Sequence, residues 1–343
     1  MEQAMTSRKR KKSDKGHEET DEILKELEKR IAILYGKASK SMIKKLQKTL
    51  SKHSKKDQEK RLQMELKEIT ERQYKDWRLN EFLLNDEYIE TEKELSKEMI
   101  ETNNSARKAI LYALPIIYAI NRNFATYTIE SQTGIDLKQK YFTDKDAEAH
   151  IKNNKKDFVM PEPQRKKEKE ELDRKRDQWN KQHINSAVIE GINKGESIPK
   201  IAKRLQEVEE MDERRAVTLA RTMTTAYENR ARIDSYREAE LLGIEIDKTW
   251  MATLDDRTRH EHRLLDGQSV PLEDNFRVGD EEIFMPGDPD ASPHMIYNCR
   301  CTLTGLPKGF KINMRDLRNR RNKLNGMPYD EWKYAREKKE KIE

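Results

Sequence analysis

Only two cysteines occur in 343 residues, and a single residue separates them, Cys299 and Cys301. So close a pair is a poor disulfide framework and points to a reducing compartment. Long apolar runs are missing as well. The longest, 109–120, is interrupted by Pro115 and falls short of the roughly 20 residues that cross a bilayer. The N-terminus has no apolar signal region, so neither secretion nor a membrane anchor is expected. No glycine-rich phosphate cradle or P-loop occurs, and no Ser/His/Asp or Cys/His spacing stands out as a nucleophile with its base. Between residues 21 and 131 the breakers are reduced to Gly36 and Pro115.

Charge is abundant. Charged residues make up 39% and hydrophobic ones 34%, too polar for one large core and suited to long solvated helices with narrow apolar stripes. The net charge of +6, from 70 basic and 64 acidic residues, permits contact with nucleic acid without requiring it.

Composition divides the chain in order. Residues 1–20, with the basic run 8–12, read as a disordered tail. Residues 21–131 read as a helical domain. In it Ile23, Leu27, Ile31 and Leu34 form a stripe that needs a partner helix, in this chain or another protein. Ala106, Ile110, Ala113, Leu114, Ile117 and Ile120 form a broader face, and Pro115 is expected to kink or restart its helix. Turn and breaker residues at 132–165 suggest a linker or small irregular subdomain. Residues 166–243 are helical again. A first helix carries Trp179, Ile184, Ala187, Val188 and Ile192 and stops near Gly195. Ser197 reads as the next N-cap with Pro199 in the first turn, and Asp212 as the cap of a helix ended by Gly243. The helix–turn–helix outline, with Arg214, Arg215 and Arg221 outward, admits a DNA-binding reading beside the plainer one of packed helices.

After Gly243 the period changes. Residues 244–306 are expected to form a compact α+β unit. Ile244, Ile246 and residues 249–253 favour a strand, followed by a short helix over 257–265 capped by Asp255 or Asp256. Segments 268–270 and 282–284 would pair, and 297–303 would close the sheet beside 249–253. Residues 307–343 read as a basic helical tail with Trp332 as its one large anchor, lying on the surface or reaching a partner. The fold class is therefore mainly α, with an elongated helical N-terminal part and a C-terminal α+β module.

Several motifs stand in order here: ARTMTTAYENRAR (220–232), Trp250, DDRTRHEHRLLDGQ (255–268), Phe276, MPGDP (285–289) and NCRC (298–301). Together they resemble the Mu F-like minor head proteins of tailed bacteriophages, over roughly 184–306. The resemblance implies a non-enzymatic virion protein made in few copies. It would associate with the portal and act in head morphogenesis and DNA packaging or delivery. Implied partners are the portal protein, scaffold or major capsid protein, and viral genomic DNA, with no membrane. The implied location is inside the head near the portal, and the host cytoplasm during assembly.

The compact unit also holds the soft metal ligands. Cys-x-Cys in a strand sends both thiols to one face, and His262 lies on a helix that could meet them. Some relatives carry Cys-x-x-Cys where this chain has Arg259 and His262, and His-Pro where it has Ile296 and Tyr297. Two readings stand. Cys299, Cys301, His262 and His294 bind zinc, or the cysteines are small buried hydrophobes and His262 a packing residue. No cofactor is required. Asp255, Asp256, His260, His262 and Asp266 also admit a metal-dependent nuclease, although capping and turn roles explain the aspartates equally well. A DNA-binding protein inside the capsid is the other alternative.

Overall fold

Helix begins earlier than composition suggests. The computed structural model describes residues 14–158, 166–310 and 327–340, and the basic run 8–12 lies outside them. The architecture is mainly α with a C-terminal sheet module. Helix α1 spans Lys15–Ser51, so residues 14–20 are packed, correcting the expectation of a tail disordered through Thr20. Polar groups dock them. Arg232 donates to both Asp14 carboxylate oxygens at 2.6 and 2.9 Å. The His17 ring meets Glu228 at 2.9 Å, and Asn121 donates to Thr20 Oγ1 at 2.7 Å. A Cβ on Gly16 would stand 2.9 Å from Phe124. A search for apolar surface overlooks docking of this kind.

The helices that follow are α2 (Ser54–Glu65), α3 (Glu71–Leu83), α4 (Asp86–Thr133), α5 (Asp144–Asn153), α6 (Lys166–Asn193), α7 (Ile198–Lys203) and α8 (Leu205–Leu241). Capping boxes start α3, through Thr70 and Gln73, and α5, through Thr143 and Asp146, satisfying N–H groups that the first turn leaves free. Pro115 does not restart α4, which is one helix of 48 residues. The missing hydrogen bond is offset by burial of Leu114, Ile117 and Tyr118 around it. Helix α6 stops where expected. Gly195 has φ +66°, and Glu196 N–H reaches back to the Gly191 carbonyl at 2.9 Å, a Schellman stop. Asp212 lies inside α8 rather than capping it. Its carboxylate is buried and accepts from the Asn103 amide at 2.9 Å.

The chain divides into two units that cut across the consecutive segments of the composition. One takes Met1–Leu27, Leu111–Val159 and Thr218–Glu343; the other takes Glu28–Ile110 and Met160–Val217. The second unit is helical. Its core joins Met42, Leu46 and Leu50 of α1 and Phe82, Leu95 and Met99 to Ile184, Val188 and Ile192 of α6 and Ile201, Leu205 and Val208 beyond. The α1 stripe is satisfied within the chain, since Leu27 and Ile31 are buried. Arg215 lies over the Trp179 ring at 4.4 Å and pairs with Asp212, so it is engaged in packing.

The first unit holds the sheet. Strand β1 (Ile244–Met251) lies between β2 (Ser269–Pro271) and β5 (Thr302–Phe310), all antiparallel. Ile244, Ile246, Lys248 and Trp250 are buried on one face of the strand, the period of two, and Asp247 is buried on the other. The expected pairing of 268–270 with 282–284 does not form. Instead β3 (Phe276–Val278) and β4 (Glu281–Ile283) make a local hairpin, closed by Gly279 at φ +57°, where a two-residue turn favours glycine. Helices α9 (His260–Leu265) and α10 (Pro293–Ile296) fill the connections. Of the expected linker, residues 132–158 are part of this unit too, and 159–165 lie outside the described residues: Ile135 and Leu137 enter its core, and α5 follows them. Beyond β5, Trp332 on α11 (Tyr329–Glu340) is buried and donates its indole N–H to Glu130 at 2.6 Å. The tail helix is thus anchored in the core of this unit.

Candidate functional site

The site is organised by one face of α8. All seven residues from Met223 to Asn229 are buried, so this stretch is covered on every side. Its polar side chains bond the backbone that leads into β5. Thr222 Oγ1 accepts from Asn298 N–H at 3.2 Å. Thr225 donates to the Cys299 carbonyl. Asn229 donates to the Cys301 carbonyl at 3.2 Å, and Arg232 to that of Leu303 at 2.8 Å. The spacing of three, four and three residues places all four on one helix face. Glu228 accepts the Thr302 hydroxyl at 2.7 Å. These bonds stand in for a sheet ladder. Cys299 and Cys301 therefore lie in the lead-in to β5 and not in the strand itself, which corrects the expected start of that strand.

The lead-in nevertheless turns both sulfurs toward one histidine. His262 Nδ1 is 3.6 Å from Cys299 Sγ and 3.3 Å from Cys301 Sγ. The three donor atoms lie within 4.8 Å of one another, and each of the three residues is 2% exposed. The Trp250 ring packs edge-on against His262 at 5.6 Å and against Phe276 at 5.3 Å. The hydrogen bond between the two thiols holds Cys301 below the usual thiol range and pushes Cys299 above it. Asp255 braces the corner. It accepts both guanidinium nitrogens of Arg300, the residue between the cysteines, at 2.6 and 2.7 Å, and that hydrogen bonding holds its carboxyl well below the ordinary value.

The fourth expected zinc ligand is elsewhere. His294, on α10, is exposed, with its ring on Ser292 Oγ at 3.0 Å and 3.9 Å from Glu281. Its neighbour Met295 is fully buried. Successive helical residues diverge by about 100°, so the buried Met295 leaves His294 facing solvent. Arg259, the N-cap of α9, donates to the Tyr297 carbonyl. The residues of the nuclease reading are not gathered. Asp255 is bound to Arg300, while Asp256, His260 and Asp266 are exposed. Among the described residues, His262, Cys299 and Cys301 form the one group of three metal-ligand side chains.

Pattern reading missed the α8 polar face and Lys248. Apolar spacing passes over this face, although Thr222, Thr225, Asn229 and Arg232 stand at helical intervals in the sequence. Lys248 is fully buried with its ammonium 3.3 Å from the Phe284 ring centre and without a hydrogen-bond partner. Burial pushes its pKa down to about 7. Gly287, of MPGDP, has φ +78°, and a Cβ there would stand 2.7 Å from the Ala226 backbone nitrogen. Two separated motifs therefore meet on α8.

Residues 182–304 match the family described as phage Mu protein F like protein. Minor head protein GP7 of Bacillus phage SPP1 is 28% identical over 158 residues, covering 44% of this chain and 49% of that protein. NAD(+)--arginine ADP-ribosyltransferase EFV of Enterococcus faecalis is 31% identical over 157 residues, covering 44% of this chain and 31% of that protein. The chain thus spans about half or less of the length of these curated relatives. No solved structure matches it.

Proposed function

We propose, from the match of residues 182–304 to the phage Mu protein F like family, that the chain is a minor head protein of a tailed bacteriophage. It acts in head morphogenesis at the portal, inside the head, and takes part in DNA packaging or delivery. The observation that carries this reading is the family match itself. The matched stretch contains the whole of α8, the corner at 298–303 and the bonds between them. The relative from phage SPP1 bears the name minor head protein. The transferase relative is matched over only 31% of its length, and the role proposed is structural and non-catalytic.

Co-expression of this chain with the portal protein of the same virus tests the reading. A complex that survives size-exclusion chromatography, and is absent when an unrelated portal protein is supplied, is the expected result. Failure to associate with the cognate portal, in isolation and in assembling heads alike, would remove the portal assignment.

A further inference from the structure

We propose that His262, Cys299 and Cys301 bind one zinc ion. The donors are chemically right: two thiols that bind as thiolates and one imidazole nitrogen are the ligands zinc prefers. The geometry agrees. With Zn–S near 2.3 Å, Zn–N near 2.0–2.1 Å and tetrahedral angles, a sulfur and a nitrogen ligand stand about 3.5 Å apart. The two observed separations, 3.6 and 3.3 Å, bracket that value.

Packing alone satisfies these groups poorly. A neutral imidazole that accepts at Nδ1 carries its proton on Nε2, and the His262 Nε2 is buried without a hydrogen-bond partner. A cation takes a lone pair from all three residues at once. Two thiolates also balance its charge, so the buried complex is neutral without a carboxylate. The framework fixes the sulfurs independently of any bond between them. Thr225 and Asn229 hold the two cysteine carbonyls, and Asp255 holds the intervening Arg300. With His294 turned to solvent, the protein supplies three ligands among the described residues. The ion would tie α9 to the lead-in of β5, across 37 and 39 residues of chain.

The test uses the full chain, purified under reducing conditions without chelator. Elemental analysis should find about one zinc per chain, since such a site holds a single ion. His262→Ala and Cys301→Ala should each lose it. Because those variants can misfold, the unaltered chain is also stripped with chelator and titrated with cobalt(II) alone. A thiolate-to-cobalt charge-transfer band saturating at about one equivalent is expected, as for a single-ion site; unfolding of the stripped chain would also support the site, because metal and fold are then linked. Three results would overturn the proposal: a folded chain with background zinc and no cobalt band, zinc retained in full by a Cys299→Ala, Cys301→Ala double variant, or a cobalt spectrum lacking thiolate charge transfer.

Discussion

Asn229 donates its side-chain amide to the carbonyl of Cys301 at 3.2 Å, so a residue in α8 fixes backbone 72 positions away. The same amide also bonds Thr225 O, one turn back on its own helix, at 2.9 Å. Replacing Asn229 with Leu removes a donor from a buried carbonyl, a loss that costs about 1–3 kcal/mol. The urea midpoint of the variant should fall with the slope unchanged. An unchanged midpoint would show that the bond does not hold the corner.

Removing residues 1–20 should destabilise the chain by roughly 3 kcal/mol, because the buried Arg232 loses both bonds to Asp14 and keeps, of its carboxylate partners, only Glu228 at 3.4 Å. The His17 share depends on pH. Glu228 raises the His17 pKa from 6.5 to about 9, so its stabilisation is complete below pH 6.5 and lost as pH rises through about 9. The melting-temperature gap between full and truncated chains should therefore narrow from pH 6 to pH 9.5. Equal melting temperatures throughout would contradict the docking of 14–20.

Lys248→Met should stabilise the protein at neutral pH. Below about pH 7 the lysine is charged in folded and unfolded chains alike, and the folded state bears the burial cost. Between about 7 and 10.5 the unfolded chain binds the extra proton, so stability rises with pH through that window. Each unit of depression corresponds to about 1.4 kcal/mol, so a gain of a few kcal/mol is expected from the methionine. Its chemical denaturation should also lose the rise in stability between pH 7 and 10. A destabilised variant would mean that the ammonium has a partner in solution.

Trp332→Ala should release α11. It removes a large buried side chain, a change that costs about 3–5 kcal/mol, and leaves Glu130 with one fewer donor. Amide hydrogen exchange should accelerate across 329–340 first. Protection equal to that of the unaltered chain would show that the helix is held without the indole.

The apolar patterns of this chain were readable because they follow simple periods. Ile184, Val188 and Ile192, or Ile244 and Ile246, point inward as spacing requires. Gly195 and Gly243 end helices because positive φ suits glycine. Polar burial was not readable in this way. Asp14, Thr225, Asn229 and Arg232 look solvent-facing in a pattern of apolar residues, and only the fold shows which backbone groups they meet. The β3–β4 hairpin was missed because three-residue strands carry almost no period. The convergence of His262 with both cysteines was anticipated, but through a strand that starts one residue later than Cys301. His294 was misplaced because proximity in sequence says little about direction on a short helix.

Mass spectrometry of gradient-purified heads from the virus that encodes this chain tests head membership most directly. The prediction is that the chain is present in procapsids or mature heads, at a small fraction of the major capsid protein, and co-migrates with the portal. Its absence from both, in preparations that contain the portal, would contradict the assignment.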